Sequence, residues 1–124
     1  MPDIIFKEES FKIIGVCMDI HRSLGMGLKE VNYKDAMEMD FIEKQIPFER
    51  EKRFDVFYKE KRLLHPYYAD FILYDAIILE VKSCTTLIDA HVAQALSYLA
   101  VANRKLALLI NFGEKSLTYK RIVL

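Results

Sequence analysis

The chain has no excess charge of either sign: lysine and arginine total 18, and so do aspartate and glutamate. That excludes a long-range field able to gather DNA or another polyanion, so any phosphate chemistry has to be local. No apolar run approaches the ~20 residues a membrane helix needs, and the opening MPDIIFKEES lacks the basic-then-apolar order of a signal peptide. A soluble cytoplasmic protein is expected. Cysteine is scarce: Cys17 and Cys84 sit in apolar segments without CxxC spacing, which argues for reduced core residues rather than a disulfide or zinc site. Internal repeats, low-complexity tracts and linkers are missing too. The 124 residues, 52% of them hydrophobic, are therefore read as one domain spanning 1–124.

What is there falls into three blocks. From Ser10 to Leu24, apolar residues recur at Ile13, Cys17, Ile20 and Leu24 with helical spacing, and Ser10 is the expected N-cap. The glycines of LGMGL interrupt this helix, and LKEVNYKDAMEMDFIEKQ resumes a helical pattern until Pro47. Next, RFDVFYKEKRLL alternates apolar with polar residues as a hairpin does, and YYADFILYDAIILEVKS reads as two strands reversing near Tyr74-Asp75-Ala76. The third block opens with a helix over Leu87–Val101 and closes with two strands, KLALLINF and SLTYKRIVL. The expected fold is α/β, in the order α-α-β-β-β-β-α-β-β.

The segment ILEVKS sets Glu80 and Lys82 inside a run of branched apolar residues. If the reversal is centred on Asp75, residues whose numbers sum to about 150 face each other, which places Asp70 across from Glu80. Alternation along the strand brings Lys82 to the same face and sends Leu79 and Val81 to the other. Two facing carboxylates repel unless a cation lies between them, and oxygen ligands with room for water and phosphate suit Mg2+ or Mn2+. Such an ion polarises a phosphate, and Lys82 then orients water or neutralises charge in the transition state. A Glu-x-Lys pair on a strand is ordinarily a solvated or salt-bridged surface feature. Here the neighbours Phe71, Ile72, Leu73, Ile77, Ile78, Leu79 and Val81 imply strands covered on both faces, where unpartnered charge is rarely tolerated.

Asp70, nine residues, then Glu80-Val81-Lys82, with helices before and after, resembles the PD-(D/E)XK nuclease superfamily, with Ala69 where many members carry proline. Gln94 and Tyr98, which share a helix face, resemble the Gln-x3-Tyr signature of its exonuclease and helicase-associated branch. The segment GLKEVNY, with Gly27, Glu30 and Tyr33, is similar to the small GxxExxY family within that superfamily. The similarity continues through IPFERE, both charged strands, LLINFG and KRIVL, from about Ile14 onward.

The resemblance implies a restriction-endonuclease-like core with a central mixed sheet flanked by helices, and a metal-dependent nuclease acting on DNA or RNA. Asp70, Glu80 and Lys82 would be catalytic. The metal ligands would be Asp70, Glu80, the Val81 carbonyl and, as an outer or third carboxylate, Glu30; the bland alternative for Glu30 is a surface pair with Lys34. Gln94 and Tyr98 would position substrate or water. His91 would touch phosphate or simply decorate a helix N-terminus, and His21 and His65 show no metal spacing. The expected partner is nucleic acid, without a membrane, and a homodimer or larger complex is the other arrangement considered. The competing reading is a catalytically silent nucleic-acid-binding or interaction module that keeps the fold.

Overall fold

The computed structural model describes residues 4–124. Helix α1 (Lys7–Leu24) buries Ile13, Val16, Cys17 and Ile20, the i, i+3, i+4, i+7 stripe that the sequence displays. It starts one turn before the expected cap. Ser10 lies inside the helix and is buried, and Glu8 and Glu9 supply the acidic first turn that suits the positive end of the helix dipole. Gly25 ends the helix, with φ 69° and its N–H bonded to the His21 carbonyl at 2.8 Å; Gly27, at φ 105°, completes the break. Helix α2 (Glu30–Glu43) buries Tyr33, Met37 and Phe41 at intervals of four.

A five-stranded mixed sheet follows in the order β1-β4-β5-β6-β7: β1 (Phe48–Phe54), β4 (Tyr67–Leu73), β5 (Ile77–Lys82), β6 (Leu106–Asn111) and β7 (Thr118–Val123). Helix α3 (Asp89–Ala102) is the crossover that makes β5 and β6 parallel; the other neighbours are antiparallel. The short strands β2 (Phe57–Tyr58) and β3 (Lys61–Arg62) pair only with each other. Five strands therefore precede α3 where the sequence reading places four. The extra strand is β1: FEREKRF alternates half-buried aromatic or basic side chains with exposed ones, so no apolar stripe announces it.

The β4–β5 hairpin has the expected register, with Phe71↔Leu79, Ile72↔Ile78 and Leu73↔Ile77 paired. Three residues, Tyr74, Asp75 and Ala76, connect the strands; Tyr74 and Asp75 both have positive φ, 55° and 53°, and the Ala76 N–H bonds the Leu73 carbonyl at 3.0 Å. Helices α1 and α2 cover one face of the sheet, packing on Phe71, Leu79, Val81, Leu108 and Ile110. Helix α3 covers the other, packing on Ile72, Ile78, Ala107 and Leu109. This double covering is why β5 and β6 read as unbroken apolar runs. No helix among the described residues is long and apolar enough to cross a membrane.

Candidate active site

The ladder between β4 and β5 stops at Phe71↔Leu79, and one residue further on Asp70 Oδ2 accepts the Val81 backbone N–H at 2.8 Å. A side-chain carboxylate thus replaces a backbone acceptor. On the opposite side of β4, Glu51 falls between the pairs Arg50↔Phe71 and Lys52↔Ala69 and adopts φ 54°. Strict alternation would send Tyr67, Ala69, Phe71 and Leu73 to one face. Instead Phe71 and Leu73 pack under α1 and α2, whereas Ala69 and Tyr67 pack under α3. The sheet is kinked at Glu51 and Asp70, so Asp70 sits where the two faces exchange.

Glu80 is buried at 7% exposure, and its Oε1 accepts the Tyr67 hydroxyl. Burial pushes its carboxyl up to about 8 and the facing Asp70 adds to the rise, while the Tyr67 hydrogen bond and the Lys82 charge act the other way. Burial likewise raises the Tyr67 phenol, which stays a donor at neutral pH. The Tyr67 ring stacks on Tyr98 at 3.9 Å between centroids, with 13° between planes. Burial raises Tyr98 too, and the charges of Glu80 and Asp70 add to the rise. Lys82 is half-buried and has no ion-pair partner among the described residues.

The structure thus brings together Asp70, Glu80, Lys82 and Tyr98. It does not bring in Gln94, which is exposed and has no side-chain hydrogen bond among the described residues. Glu30, the first residue of α2, is also exposed, and its Oε2 accepts the Ser83 N–H at 3.2 Å at the end of β5. It stands beside the carboxylate pair without joining it. Tyr33 is buried and structural: its hydroxyl donates to the Gly25 carbonyl at 2.6 Å, accepts the Leu28 N–H at 3.2 Å, and its ring stacks on Phe112. It locks the glycine loop that aims Glu30.

Sequence reasoning missed three participants. Lys34 Nζ lies 3.0 Å from Asp70 Oδ1 and also contacts Glu51, so the surface Glu30–Lys34 pair is not formed. Burial works against the Lys34 charge, but the bonds to Glu51 and Asp70 outweigh it and raise the pKa. The signal was present, since Lys34 is one helical turn after Glu30, yet its partners arrive from β1 and β4. Glu51 and Tyr67 are likewise recruited by the kink, which no periodicity reveals. Two other expectations change or resolve. His91 Nδ1 accepts the Ile88 N–H at 3.0 Å and decorates the start of α3. Cys17 is a core residue, but Cys84 is half-buried in the loop after β5, where Asn111 bonds both its N–H and its carbonyl at 3.0 Å.

Asp70 and Glu80 offer facing hard oxygen donors of the kind magnesium and manganese take. Burial first, and then the charge of Asp70, raises the Glu80 carboxyl, and a divalent ion would offset both. Among the described residues no group of three histidine, cysteine or acidic side chains is close enough to hold a metal. The donor set therefore fits an ion through two carboxylates, with water, backbone or phosphate oxygen left to complete it.

A sequence profile of the PD-(D/E)XK nuclease superfamily matches residues 7–122. Neither curated proteins nor solved structures yield a match. The matched span holds the kinked strand with its aspartate, the next strand with its glutamate and lysine, and the helices that flank their sheet. On this evidence the chain belongs to the PD-(D/E)XK nuclease superfamily.

Proposed function

We propose that the protein is a metal-dependent nuclease whose site is Asp70, Glu80 and Lys82. One observation carries the reading: a buried Glu80 facing the half-buried Asp70, with Lys82 beside them free of ion pairs among the described residues, at the point where β4 and β5 part. Asp70, Glu80 and the Val81 carbonyl would hold Mg2+ or Mn2+, with Glu30 in reach of an outer position. When bound, the ion would supply Lewis-acid polarisation of a phosphate and a more acidic water. Lys82 would neutralise charge developing on the phosphate. Tyr98 would donate a hydrogen bond to substrate, and Gln94, one turn earlier on the same face of α3, would meet the strand as it enters. Membership of a nuclease superfamily whose members generally use divalent ions supports the reading. So does the similarity of GLKEVNY to the GxxExxY family.

The test is cleavage of an end-labelled oligonucleotide in Mn2+, comparing wild type with Lys82→Ala. Loss of a transition-state donor should lower the rate by about 10²- to 10³-fold. Equal rates in the two proteins would assign the cleavage elsewhere.

A second reading, a silent binding module, is favoured by Lys34 already neutralising Asp70 and by Glu30 being tied to Ser83. Oligonucleotide binding without metal uptake or cleavage would select it.

A further inference from the structure

We propose that the β2–β3 hairpin is a grip for single-stranded nucleic acid, set at the mouth of the candidate active site. The proposal rests on the nuclease reading for the identity of the substrate, but its own evidence is separate.

Position comes first. Phe54 of β1, Tyr67 of β4 and Lys82 of β5 lie at one end of the sheet, because β4 runs antiparallel to both neighbours. The hairpin joins Phe54 to Tyr67, so it projects from that end. Its neck is closed by the Leu63 N–H bonded to the Val56 carbonyl at 2.7 Å. Tyr67, which holds Glu80, is the first residue of β4 after it, and Asp70 is only about 10 Å further along the strand.

Surface chemistry comes second. Phe57 and Tyr58 are 63% and 61% exposed, although they are aromatic; they lie in a two-stranded element, and the Lys59 ammonium stands 5.3 Å from the centroid of the Tyr58 ring. The tip and far strand carry Lys59, Lys61 and Arg62 against Glu60 and, at the foot of the near strand, Asp55, whose Oδ2 lies 3.9 Å from Arg62 Nη1, in a chain with no net charge. Register then sorts them. Phe57 is directly opposite Arg62, and Tyr58 directly opposite Lys61, so each face of the hairpin presents one aromatic ring beside one cation. Lys59 and Glu60 both have positive φ, 51° and 64°, which makes the turn tight and the arrangement preformed.

A ring for a base and a cation for the neighbouring phosphate is the grammar of single-strand binding. Duplex DNA offers no unstacked base to such a platform. A second copy of this chain is the poorer occupant, because an isologous contact would bring Lys59, Lys61 and Arg62 against themselves.

The test uses the whole protein in EDTA with a fluorescent single-stranded oligonucleotide, so that neither metal nor cleavage enters. Polarisation gives affinity across a salt series, and sedimentation gives the particle size. Phe57→Ser with Tyr58→Ser should weaken binding at least about tenfold, and Lys61→Glu with Arg62→Glu should flatten the salt dependence by about two units. Manganese affinity should be unchanged in both variants, since neither touches Asp70 or Glu80, and circular dichroism would verify the fold. Intact binding by both variants, no binding by wild type, or variants that merely convert a dimer to monomer would overturn the proposal. Hairpin-dependent binding in a protein that takes up no manganese would sink the nuclease reading and leave the grip standing. Manganese uptake with hairpin-independent binding would do the reverse.

Discussion

Glu80 is the residue on which the chemistry turns, because its environment sets two opposing demands. Burial and Asp70 favour the protonated carboxyl, raising it to about 8, whereas a metal ion needs the carboxylate. Divalent-ion affinity should therefore climb about tenfold per pH unit between pH 6 and about 8 and then level off, with one proton released per ion. Calorimetry in buffers of different ionisation enthalpy would read that proton directly; a flat pH profile would contradict it. The Tyr67 hydroxyl lowers Glu80, so Tyr67→Phe should move the plateau to higher pH, and leaving the carboxyl without its donor should cost about 1–3 kcal/mol of stability. Lys34 acts on the other carboxylate. Its ammonium already compensates Asp70, so Lys34→Met should tighten manganese binding by about tenfold, with Glu51 left exposed to solvent. Equal affinities would mean that Lys34 moves aside at no cost.

The elements hold these residues by devices of unequal visibility. The loop after β5 is fastened by Asn111, which bonds the N–H and carbonyl of Cys84 and the N–H of Gly113, all at 3.0 Å. A Cβ on Gly113 would stand 2.3 Å from the Cys84 carbonyl oxygen, closer than any real contact. Asn111→Ala or Gly113→Ala should each destabilise by about 2 kcal/mol or more in urea unfolding and loosen Ser83, to which Glu30 is bonded. Unchanged stability would show that the loop rearranges freely. The hairpin register was legible because a three-residue turn centred on Asp75 fixes it, and Asp70 opposite Glu80 follows from the pairing of Phe71 with Leu79. The helices were legible from their apolar stripes. The kink was not, since it depends on Glu51 taking a left-handed φ that its side-chain type does not favour. Everything recruited by the kink, from Lys34 to Tyr67, was hidden with it. Strand β1 was hidden by its charges, two of which belong to ion pairs with α2, Arg50 to Asp35 and Glu38 and Glu51 to Lys34.

At the scale of the whole molecule, the carboxyl pair makes folding and metal binding interdependent. Glu80 is raised from an ordinary 4.5 to about 8, so the folded state holds its proton more tightly than the unfolded chain does. That contribution to stability is fully present below pH 4.5 and is lost as pH rises toward 8. The metal-free protein should therefore show a thermal midpoint that falls between pH 5 and about 8, and Glu80→Gln should remove this slope. Saturating manganese should flatten the slope, because the ion binds the folded carboxylate form alone and its roughly tenfold gain in affinity per pH unit offsets the loss. A slope unchanged by Glu80→Gln would place the linkage in other groups. The most direct measurement is a calorimetric titration of manganese at pH 8 into wild type and Glu80→Gln, the variant that keeps the shape of the side chain and removes its charge. Binding by wild type, with proton release, that disappears in the variant is the predicted result. Equal binding by both proteins, or none by either, would contradict the assignment of Asp70 and Glu80 as a metal site.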